Sequence, residues 1–502
     1  MSQLNTISLA DLAALLESKG VRVRLEGMDA QDVCVCGMQI DSRMVESGML
    51  FVCKGAAFQP RFLKMAADLG AFAYMCEEGA AEALVEAANL PRLVVDDVRR
   101  AMALVAPVIY GQPDKDLMVI GITGTKGKST VAYMLRSIMA AAGVESSILG
   151  SIDTDDGVEC HESHNTTPEA PDLWRHLHNT VRSGRKHMIM EVSSQGLKYD
   201  RVLGLNLDVA CFLNMGRDHI SPVEHSSFED YLQSKLRIFE QCETAVVDLT
   251  MDYADEVLAA AQNAKRLVTV GVEREDADVF AKDVRATGTG LEFTVVTEGQ
   301  EHRVFLGMAG LFNVSNALAA AVMARMAGLT WEDIAAGLAH VRVPGRMELV
   351  VSPDERVVAI VDYAHNELSF QALFASIKKE YPGRKIIAVF GAPGGKALER
   401  REQLPRAAAQ HADLMIFTEE DPAHEAVEDI CAQMAAATPQ GAKYEIIPDR
   451  ECAIKRALEA TDGQPAVLAL LAKGDETRQH RGNDYVPVKS DLSIAKELLL
   501  GE

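Results

Sequence analysis

The residues with the clearest chemical potential form a glycine-rich stretch in the first third of the chain. Gly124-Thr125-Lys126-Gly127-Lys128-Ser129-Thr130 follows the apolar run 117–120 and precedes residues 131–139, which are apolar at helical spacing. A turn between a strand and a helix points backbone N–H groups and the positive end of the helix dipole at one spot, which suits a polyphosphate. Lys128 would then bind the terminal phosphates of a nucleotide, and Ser129 or the hydroxyl after it would bind Mg²⁺. The stretch therefore predicts an ATP-binding loop, although its glycine spacing departs from the commonest form.

Two further apolar strands end in side chains that can bind a metal ion. Residues 188–190 lead into Glu191, and residues 209–213 lead through a short loop to His219. In open parallel sheets, ligands bind outside the carboxyl ends of the strands. Either residue alone would more often be a surface loop residue, but together they are predicted as Mg²⁺ ligands beside the phosphate loop.

Length, charge and cysteine content limit the class of protein. A chain of 502 residues is too long for one core and predicts two to four domains. Its net charge of −23 argues against a general nucleic-acid binder. The nine cysteines form no Cys-x-x-Cys pair, and the beginning of the chain does not resemble a secretory segment, so we expect reduced thiols and a cytoplasmic protein. No apolar run approaches membrane-spanning length, so no membrane insertion is expected.

Composition and periodicity predict an α/β protein of three domains. A breaker cluster at 111–114 ends a small α/β domain, 1–112, and a central domain with a parallel sheet follows over 113–346. Residues 347–502 alternate strands and helices regularly, which predicts a second, doubly wound sheet. The strands predicted there cover 357–362, 386–390, 414–418, 444–447 and 466–471.

Six motifs, in order over nearly the whole chain, resemble those of the Mur ligases, the ATP-dependent amide ligases of peptidoglycan synthesis. They are Asp41-Ser42-Arg43, the 124–130 loop, Thr166-Thr167-Pro168, Glu191-Val192-Ser193-Ser194, Arg217-Asp218-His219 and Asp362-Tyr363-Ala364-His365. The most similar branch adds the third amino acid to UDP-N-acetylmuramoyl-L-alanyl-D-glutamate. The resemblance implies a UDP-sugar-binding domain, a central ATPase-like domain and a C-terminal Rossmann-like domain that binds the amino acid. It also implies a monomer that uses ATP, Mg²⁺, the UDP-muramoyl-dipeptide and a free amino acid.

The resemblance also implies roles for individual residues. Catalysis would depend on Lys128, Lys235, Glu191 and His219, and the metal ligands would be Ser129, Glu191, His219 and Lys235 as a carbamate. Besides the 124–130 loop, ATP would contact Asn313, Asn316, Arg346, Asp362 and His365. The substrates would contact Ser42, Thr166, Thr167, Ser193, Arg201, Arg401, Asp421, Glu425 and Glu476. On residue type alone, Lys235 would be an ordinary exposed helix lysine.

Departures from the family pattern concern mainly the amino acid that is added. Gln195 stands where the family usually has histidine, and Ile220-Ser221 where it usually has Leu-Asp. The motif Asp-Asn-Pro-Arg, which marks the use of diaminopimelate, is Glu420-Asp421-Pro422-Ala423 here. Ala423 lacks the guanidinium that would bind the distal carboxylate of diaminopimelate. A pocket rich in acid predicts lysine as the amino acid rather than diaminopimelate.

Two alternatives stay open from the sequence. One is a Mur ligase paralogue that joins an amino acid to another carboxylate in a secondary pathway. The other is a nucleotide-binding regulator without turnover. The retained Lys128, Glu191, His219 and Lys235 argue against the regulator, which would have no need of all the metal positions.

Overall fold

The computed structural model describes residues 6–55, 57–221 and 224–501. Its helices are α1 (Leu9–Ser18), α2 (Pro60–Asp68), α3 (Ala81–Val85), α4 (Val98–Ile109), α5 (Lys128–Ala141), α6 (Ala170–Arg182), α7 (Ser194–Lys198), α8 (Phe228–Leu236), α9 (Ala254–Ala261), α10 (Asn313–Met326), α11 (Trp331–Ala339), α12 (Glu367–Glu380), α13 (Arg400–Ala409), α14 (Val427–Ala437), α15 (Arg450–Glu459) and α16 (Asp491–Leu500).

Strands alternate with these helices over most of the chain. They are β1 (Ile7–Ser8), β2 (Val23–Glu26), β3 (Cys34–Val35), β4 (Gly37–Gln39), β5 (Met49–Val52), β6 (Ala73–Glu77), β7 (Arg92–Val95), β8 (Met118–Thr123), β9 (Ser147–Leu149), β10 (Asp153–Asp155), β11 (Cys160–Glu162), β12 (His187–Glu191), β13 (Leu207–Phe212), β14 (Cys242–Asp248), β15 (Arg266–Val272), β16 (Val279–Ala286), β17 (Leu291–Thr297), β18 (Gln300–Leu306), β19 (Glu348–Val351), β20 (Val357–Asp362), β21 (Lys385–Phe390), β22 (Leu414–Phe417), β23 (Tyr444–Ile446), β24 (Ala466–Leu471), β25 (Arg478–Arg481) and β26 (Asp484–Pro487).

The chain divides into two compact units, one of residues 1–132 and 143–269 and the other of residues 133–142 and 270–502. The first unit contains a five-stranded sheet of order β2-β7-β6-β5-β4 and a larger sheet of order β11-β10-β9-β12-β8-β13-β14-β15. Strands β9, β12, β8, β13 and β14 run parallel, as the apolar runs of the sequence predict. At one edge, β10 and β11 add as antiparallel strands.

The parallel order places the predicted site residues at one edge of the first unit's larger sheet. Strand β8 pairs with β12 on one side and with β13 on the other. Their carboxyl ends are Thr123, Glu191 and Phe212, so the loops that follow them lie next to one another. This arrangement explains why residues far apart in sequence meet at the phosphate loop.

After β15, the second unit contains antiparallel strands in a segment for which the sequence predicts only a polar, β-rich stretch. Strand β16 pairs with β17 and β17 with β18, both antiparallel. A second sheet has the order β19-β20-β24-β21-β22-β23, parallel except for β19. It confirms the α/β alternation that the sequence predicts for 347–502. The division into domains 1–112, 113–346 and 347–502 stays a prediction.

No helix among the described residues combines the length and the apolar content that crossing a bilayer requires.

Candidate active site

The phosphate loop is a tight turn between β8 and α5, at residues 124–127. Gly124 has φ +148° and Gly127 has φ +87°, both in the region that favours glycine. A Cβ on Gly124 would lie 3.0 Å from the Cβ of Leu213, so the loop approaches β13 closely. These two glycines therefore let the loop fold back over the neighbouring strand end.

Asn214 holds the loop in this shape. The backbone N–H of Lys126 donates to Asn214 Oδ1 at 2.8 Å, and Asn214 Nδ2 donates to the Lys126 carbonyl at 3.0 Å. The N–H of Thr125 donates to the Asn214 carbonyl at 3.0 Å. Sequence reasoning gave Asn214 no role, although a polar residue that ends a buried strand beside such a loop is a usable signal. Three hydrogen bonds from one residue fix the loop without any ligand.

Replacing Asn214 with alanine should loosen the loop and weaken nucleotide binding. Two side-chain hydrogen bonds are lost, and one of them leaves a backbone donor unsatisfied. We expect the KM for ATP to rise about tenfold, or about 1.4 kcal/mol. Initial rates of ADP release against ATP concentration measure this. Asn206→Ala, at an exposed position, is the control, and an Asn214→Ala enzyme with unchanged ATP affinity would contradict the role of this residue.

Two lysines converge on the carbonyl of Gly124. Lys128 Nζ and Lys235 Nζ each donate to this oxygen at 2.9 Å. Lys235 on α8 is only 1 % exposed, and its Nζ also lies 4.9 Å from the ring centroid of Tyr231. Burial, together with the charge of Lys128, lowers the pKa of Lys235 well below its usual value. The neutral, nucleophilic form of the Lys235 amine therefore costs less than that of an exposed helix lysine.

Glu191 lies at the carboxyl end of β12 and is 1 % exposed. Its Oε1 accepts from the backbone N–H of Ser151 at 2.8 Å, and its Oε2 accepts from the Ser151 hydroxyl at 3.0 Å. A Cβ on Gly150 would lie 2.4 Å from Oε1, so the carboxylate fills space that only glycine leaves. A buried carboxylate held by few donors keeps lone pairs for a hard cation.

His219 follows β13 through an exposed turn and has φ +57°. Its Nδ1 lies 3.1 Å from Glu224 Oε1, which also accepts from Gln195 Nε2 at 3.3 Å. Since a carboxylate only accepts, His219 carries its proton on Nδ1 and leaves Nε2 as an acceptor. Its neighbour Asp218 forms an ion pair with Lys126 of the loop at 3.2 Å. This orientation of His219 is the one that a metal ligand would have. Gln195 hydrogen-bonds to Glu224, the carboxylate that orients the histidine.

The residues predicted to bind the muramoyl-dipeptide cluster beyond Glu191. Thr167 Oγ1 donates to the Glu191 carbonyl at 2.9 Å and lies 3.1 Å from Ser193 Oγ. Arg201 Nη1 donates to the Thr167 carbonyl at 3.0 Å. Thr166 Oγ1 lies 2.9 Å from the hydroxyl of Ser151. Thr166, Thr167, Ser193 and Arg201 therefore share one side of the sheet edge.

Glu169 links this cluster to the N-terminal sheet. It forms ion pairs with Arg201 Nε at 3.1 Å and with Lys54 Nζ at 2.5 Å. Glu169 directly follows the motif Thr166-Thr167-Pro168, and the sequence alone predicts no role for it. Ser42 lies in a one-turn 3₁₀ helix after β4, where its hydroxyl faces the sulfur of Met65 at 3.4 Å. The predicted contact of Ser42 with a pyrophosphate stays a prediction.

In the second unit, the residues predicted to bind adenosine are fixed by their neighbours. Asn313 Nδ2 donates to the Ala309 carbonyl at 2.7 Å, and Asn316 Nδ2 donates to Asn313 Oδ1 at 2.8 Å. Both asparagines are buried on α10. The sequence predicts a helix over Asn313–Met326, and α10 has these bounds.

The other three residues of this predicted set lie around the end of β20: Asp362 ends the strand, His365 follows it, and Arg346 comes from the loop before β19. Asp362 accepts from the backbone N–H groups of Met347 at 2.9 Å and Ala364 at 2.7 Å. The guanidinium carbon of Arg346 lies 4.7 Å from the centroid of the Tyr363 ring, and His365 Nδ1 lies 2.7 Å from the Tyr363 carbonyl. Arg346, Asp362 and His365 therefore meet around one tyrosine.

Arg401, predicted to bind the added amino acid, is occupied within the protein. It is 5 % exposed, and its guanidinium bonds to Glu425 at 2.8 and 2.9 Å and to the Pro393 carbonyl at 2.9 Å. The hydrogen bond from Arg401 lowers the pKa of Glu425 to about 2. In this arrangement Arg401 and Glu425 neutralise each other, and their contact with an amino acid stays a prediction.

Asp421 and Glu476 share a single ammonium group. Lys473 Nζ lies 2.9 Å from Asp421 Oδ1 and 2.5 Å from Glu476 Oε2. Glu420 beside them is buried, and burial raises its pKa to about 8 despite the nearby charges of Arg400 and Arg450. Asp421 and Glu476 are thus two carboxylates that contact one ammonium, while the charges of Lys396 and Arg400 act on Asp421 and Glu420 without a direct ion pair among the residues that the structure describes.

Comparison with known proteins decides the family. Residues 122–324 match the Mur ligase middle domain, and residues 345–474 match the Mur ligase glutamate ligase domain. A UDP-N-acetylmuramyl-tripeptide synthetase of Lactobacillus delbrueckii subsp. bulgaricus is 35 % identical over 97 % of this chain and 96 % of its own. The chain belongs to the Mur ligase family. It is therefore an ATP-dependent amide ligase that forms ADP, as the motifs predict.

Other relatives of this Mur ligase bear on its branch. A UDP-N-acetylmuramoyl-L-alanyl-D-glutamate–L-lysine ligase of Streptococcus pyogenes is 34 % identical, with 92 % of each chain covered. A solved UDP-N-acetylmuramoyl-L-alanyl-D-glutamate–2,6-diaminopimelate ligase superposes with a TM-score of 0.67 at 26 % identity, covering 99 % of both chains. The Mur ligase fold predicted from the sequence is thus confirmed along the whole length.

Proposed function

We propose that this Mur ligase joins L-lysine to UDP-N-acetylmuramoyl-L-alanyl-D-glutamate, with hydrolysis of ATP to ADP and phosphate. Relatives with this activity in their names match the chain almost from end to end. Among the structural observations, the two carboxylates that share the single ammonium of Lys473 support the choice of lysine most directly. The nine cysteines are free thiols, which supports a reducing compartment such as the cytoplasm.

The reaction proceeds in two steps. A carboxylate oxygen of the substrate attacks the γ-phosphorus of ATP, the bond to the bridging oxygen breaks, and ADP leaves an acyl phosphate behind. The amine of the amino acid then attacks the acyl carbon, loses a proton, and expels phosphate as the amide forms. The protein contributes position and charge, since phosphoryl transfer needs little covalent help. Lys128, held on the phosphate loop, is the residue placed to bind the transferred phosphoryl group.

Glu191 and Ser129 suit a Mg²⁺ ion, and His219 suits a second metal position. The buried carboxylate of Glu191, in the space that Gly150 leaves, is the hard oxygen ligand that Mg²⁺ prefers. Bound Mg²⁺ would neutralise charge that develops on the phosphates. Glu191 supplies the negative charge that holds the cation, and Glu224 orients His219. Since Mg²⁺ sites of this kind take several ligands from water and phosphate, few protein ligands suffice.

Lys235 is proposed to carry CO₂ as a carbamate. Burial of its amine lowers the pKa and so makes the neutral form less costly, and the neutral amine is the form that attacks the carbon of CO₂ and releases a proton. The carbamate would replace a buried amine with an anionic oxygen ligand, near the ammonium of Lys128. Both lysines contact the Gly124 carbonyl, so this anion would lie beside the phosphate loop and its metal.

The muramoyl-dipeptide is proposed to contact the cluster around Thr167. The hydroxyls of Thr166 and Ser193 and the guanidinium of Arg201 can donate to its carbonyl and carboxylate oxygens. The buried Thr167 donates its hydroxyl hydrogen to the Glu191 carbonyl and holds the cluster together. We assign the UDP part to domain 1–112 with Ser42, ATP to domain 113–346, and the amino acid to domain 347–502. A monomer suffices for this arrangement.

Selectivity for lysine follows from the charges around Lys473. Asp421 and Glu476 share one ammonium within the protein, so their carboxylate oxygens can also accept from the side-chain ammonium of a lysine substrate. Diaminopimelate carries an additional carboxylate at that end, and Ala423 offers no cation to receive it. A charged hydrogen bond is worth about 1.5–3 kcal/mol, so the preference should be about ten- to a hundredfold.

Competition between L-lysine and diaminopimelate tests this choice. We expect kcat/KM for lysine to exceed that for diaminopimelate about ten- to a hundredfold, and Ala423→Arg to shift the ratio towards diaminopimelate. His424→Arg, which adds the same group one residue further along, is the matched control. A wild-type enzyme that prefers diaminopimelate would refute the lysine assignment and leave the ligase reaction itself intact.

A further inference from the structure

A cluster of metal-binding side chains lies outside the site described above, where β11 meets α6. Within the described residues, Glu159, His161 and His176 each bring one ligand atom within 4.8 Å of the other two. His161 Nε2 lies 4.0 Å from Glu159 Oε2, and the ring centroids of the two histidines are 6.3 Å apart. His176 is only 3 % exposed, whereas His161 lies at the surface. Two imidazoles and a carboxylate thus converge on one point.

Both histidines present the same nitrogen to this point. His176 Nδ1 lies 2.6 Å from Asp156 Oδ2, and His161 Nδ1 lies 2.9 Å from the Glu162 carbonyl. Carbonyl and carboxylate oxygens only accept, so both Nδ1 atoms carry the proton and both Nε2 atoms keep a lone pair. This is the tautomer of a metal-binding histidine whose second nitrogen donates to an oxygen.

Asp156 is built as the supporting carboxylate of such a histidine. It is fully buried, and besides His176 it accepts from Asn179 Nδ2 at 2.9 Å and from the backbone N–H groups of Val158 and Glu159 at 2.9 and 2.8 Å. With four donors on its two oxygens, Asp156 is held in place and fixes the tautomer and orientation of His176.

Arg175 is the group that a cation would have to displace. One guanidinium nitrogen pairs with Glu159 Oε1, and the other lies 3.4 Å from His176 Nε2, a long contact. Asp172 Oδ1, 3.5 Å from the same guanidinium, offers it another partner. Glu159 Oε2, which faces His161, is not the oxygen that Arg175 contacts. A cation would therefore displace only the long contact with His176, while Arg175 can keep Glu159 Oε1 and move its other nitrogen towards Asp172.

We propose that Glu159, His161 and His176 form a binding site for a divalent transition metal ion, with Zn²⁺ as the best match. Two imidazoles and one carboxylate, with a fourth position for water, are a ligand set that Zn²⁺ adopts in tetrahedral geometry. The ion would cross-link β11 to α6, and β11 leads directly to Thr166 and Thr167. Metal binding would thus stabilise the segment that presents these two threonines.

Zinc titration of the full chain in saturating MgCl₂ tests the proposal, with wild type, His161→Ala and His164→Ala compared. His164 is a matched control because it is also exposed and close to His161 in sequence, but is not one of the residues whose ligand atoms lie within 4.8 Å of one another. We expect one Zn²⁺ more per chain in wild type and His164→Ala than in His161→Ala. Co²⁺ should give a tetrahedral visible spectrum that His161→Ala lacks. Zinc should also raise the unfolding temperature of wild type but not that of His161→Ala.

Two milder variants separate metal binding from folding. Glu159→Gln should weaken zinc binding at least tenfold. Even the loss of a residue that only hydrogen-bonds to a metal ligand lowers metal affinity about ten- to a hundredfold. Arg175→Met removes the competing guanidinium and should bind zinc at least as tightly as wild type. Equal zinc stoichiometry and affinity in wild type and His161→Ala would overturn the proposal, as would weaker zinc binding by Arg175→Met.

Discussion

Lys235→Ala should lower kcat about a thousandfold, because the loss of one group that stabilises the transition state has an effect of about this size. The substitution removes the amine that we propose to carry CO₂, and with it an anionic ligand beside the phosphate loop. The amine lies buried against the Gly124 carbonyl. Acetate or bicarbonate should restore part of the activity, because a small carboxylate can occupy the space that the side chain leaves.

A spectroscopic signal separates this role from a purely structural one. In ¹³C-bicarbonate, wild type should show a carbamate carbon resonance that Lys235→Ala lacks. Lys265→Ala removes an exposed lysine that pairs with Glu243 and should keep the wild-type rate and the resonance. Wild-type turnover by Lys235→Ala would show that the metal assignment is wrong.

Glu191→Gln should lower kcat about a hundredfold or more while substrate binding changes little. The substitution keeps the size of the side chain and an acceptor for the Ser151 N–H, but removes the buried negative charge. A cation held there acts mainly on charge that develops at the phosphates, so the loss falls on kcat rather than on KM for the muramoyl substrate. His219→Ala should act in the same direction. Initial rates at saturating Mg²⁺ measure both effects.

Two further variants sharpen the interpretation of Glu191. Gly150→Ala leaves the charge but displaces the carboxylate, since the added Cβ would lie 2.4 Å from its Oε1. It should therefore also lower kcat. Glu145→Gln removes an exposed carboxylate from the same unit and should have no effect. Full turnover by Glu191→Gln at saturating Mg²⁺ would exclude this residue as the metal ligand.

Much of the fold could be predicted because short stretches of the sequence show the apolar pattern of their own strand or helix. Strands β20 and β24 and helix α10 have the bounds that apolar runs and helical spacing predict, and β12 and β13 differ from their predictions only at the ends. Continuous apolar runs identify strands that are buried on both faces of a parallel sheet. The antiparallel strands β16–β18 alternate buried and exposed residues with many polar side chains, and their pairing depends on residues distant from each strand's own sequence.

The candidate site was predictable in its motifs but not in its pairings. The phosphate loop, Glu191 and His219 follow from strand ends and residue type. Two pairings are seen only in the three-dimensional contacts: Asn214 holds the loop, and Arg401 is bound to Glu425. Carboxylates that make this pocket rich in acid are paired in the structure, Asp421 with Lys473 and Glu425 with Arg401. Charge counts along a sequence do not reveal which charges neutralise each other.

Release of ADP in the presence of UDP-N-acetylmuramoyl-L-alanyl-D-glutamate and single amino acids tests the central claim most directly. The account predicts rapid ADP release with L-lysine, matched one to one by a UDP-muramoyl-tripeptide seen in the mass spectrum. Release should be slower with diaminopimelate and nearly absent without an amino acid. A chain that released no ADP with any amino acid, or released it without forming the tripeptide, would contradict the assignment as a third-amino-acid ligase.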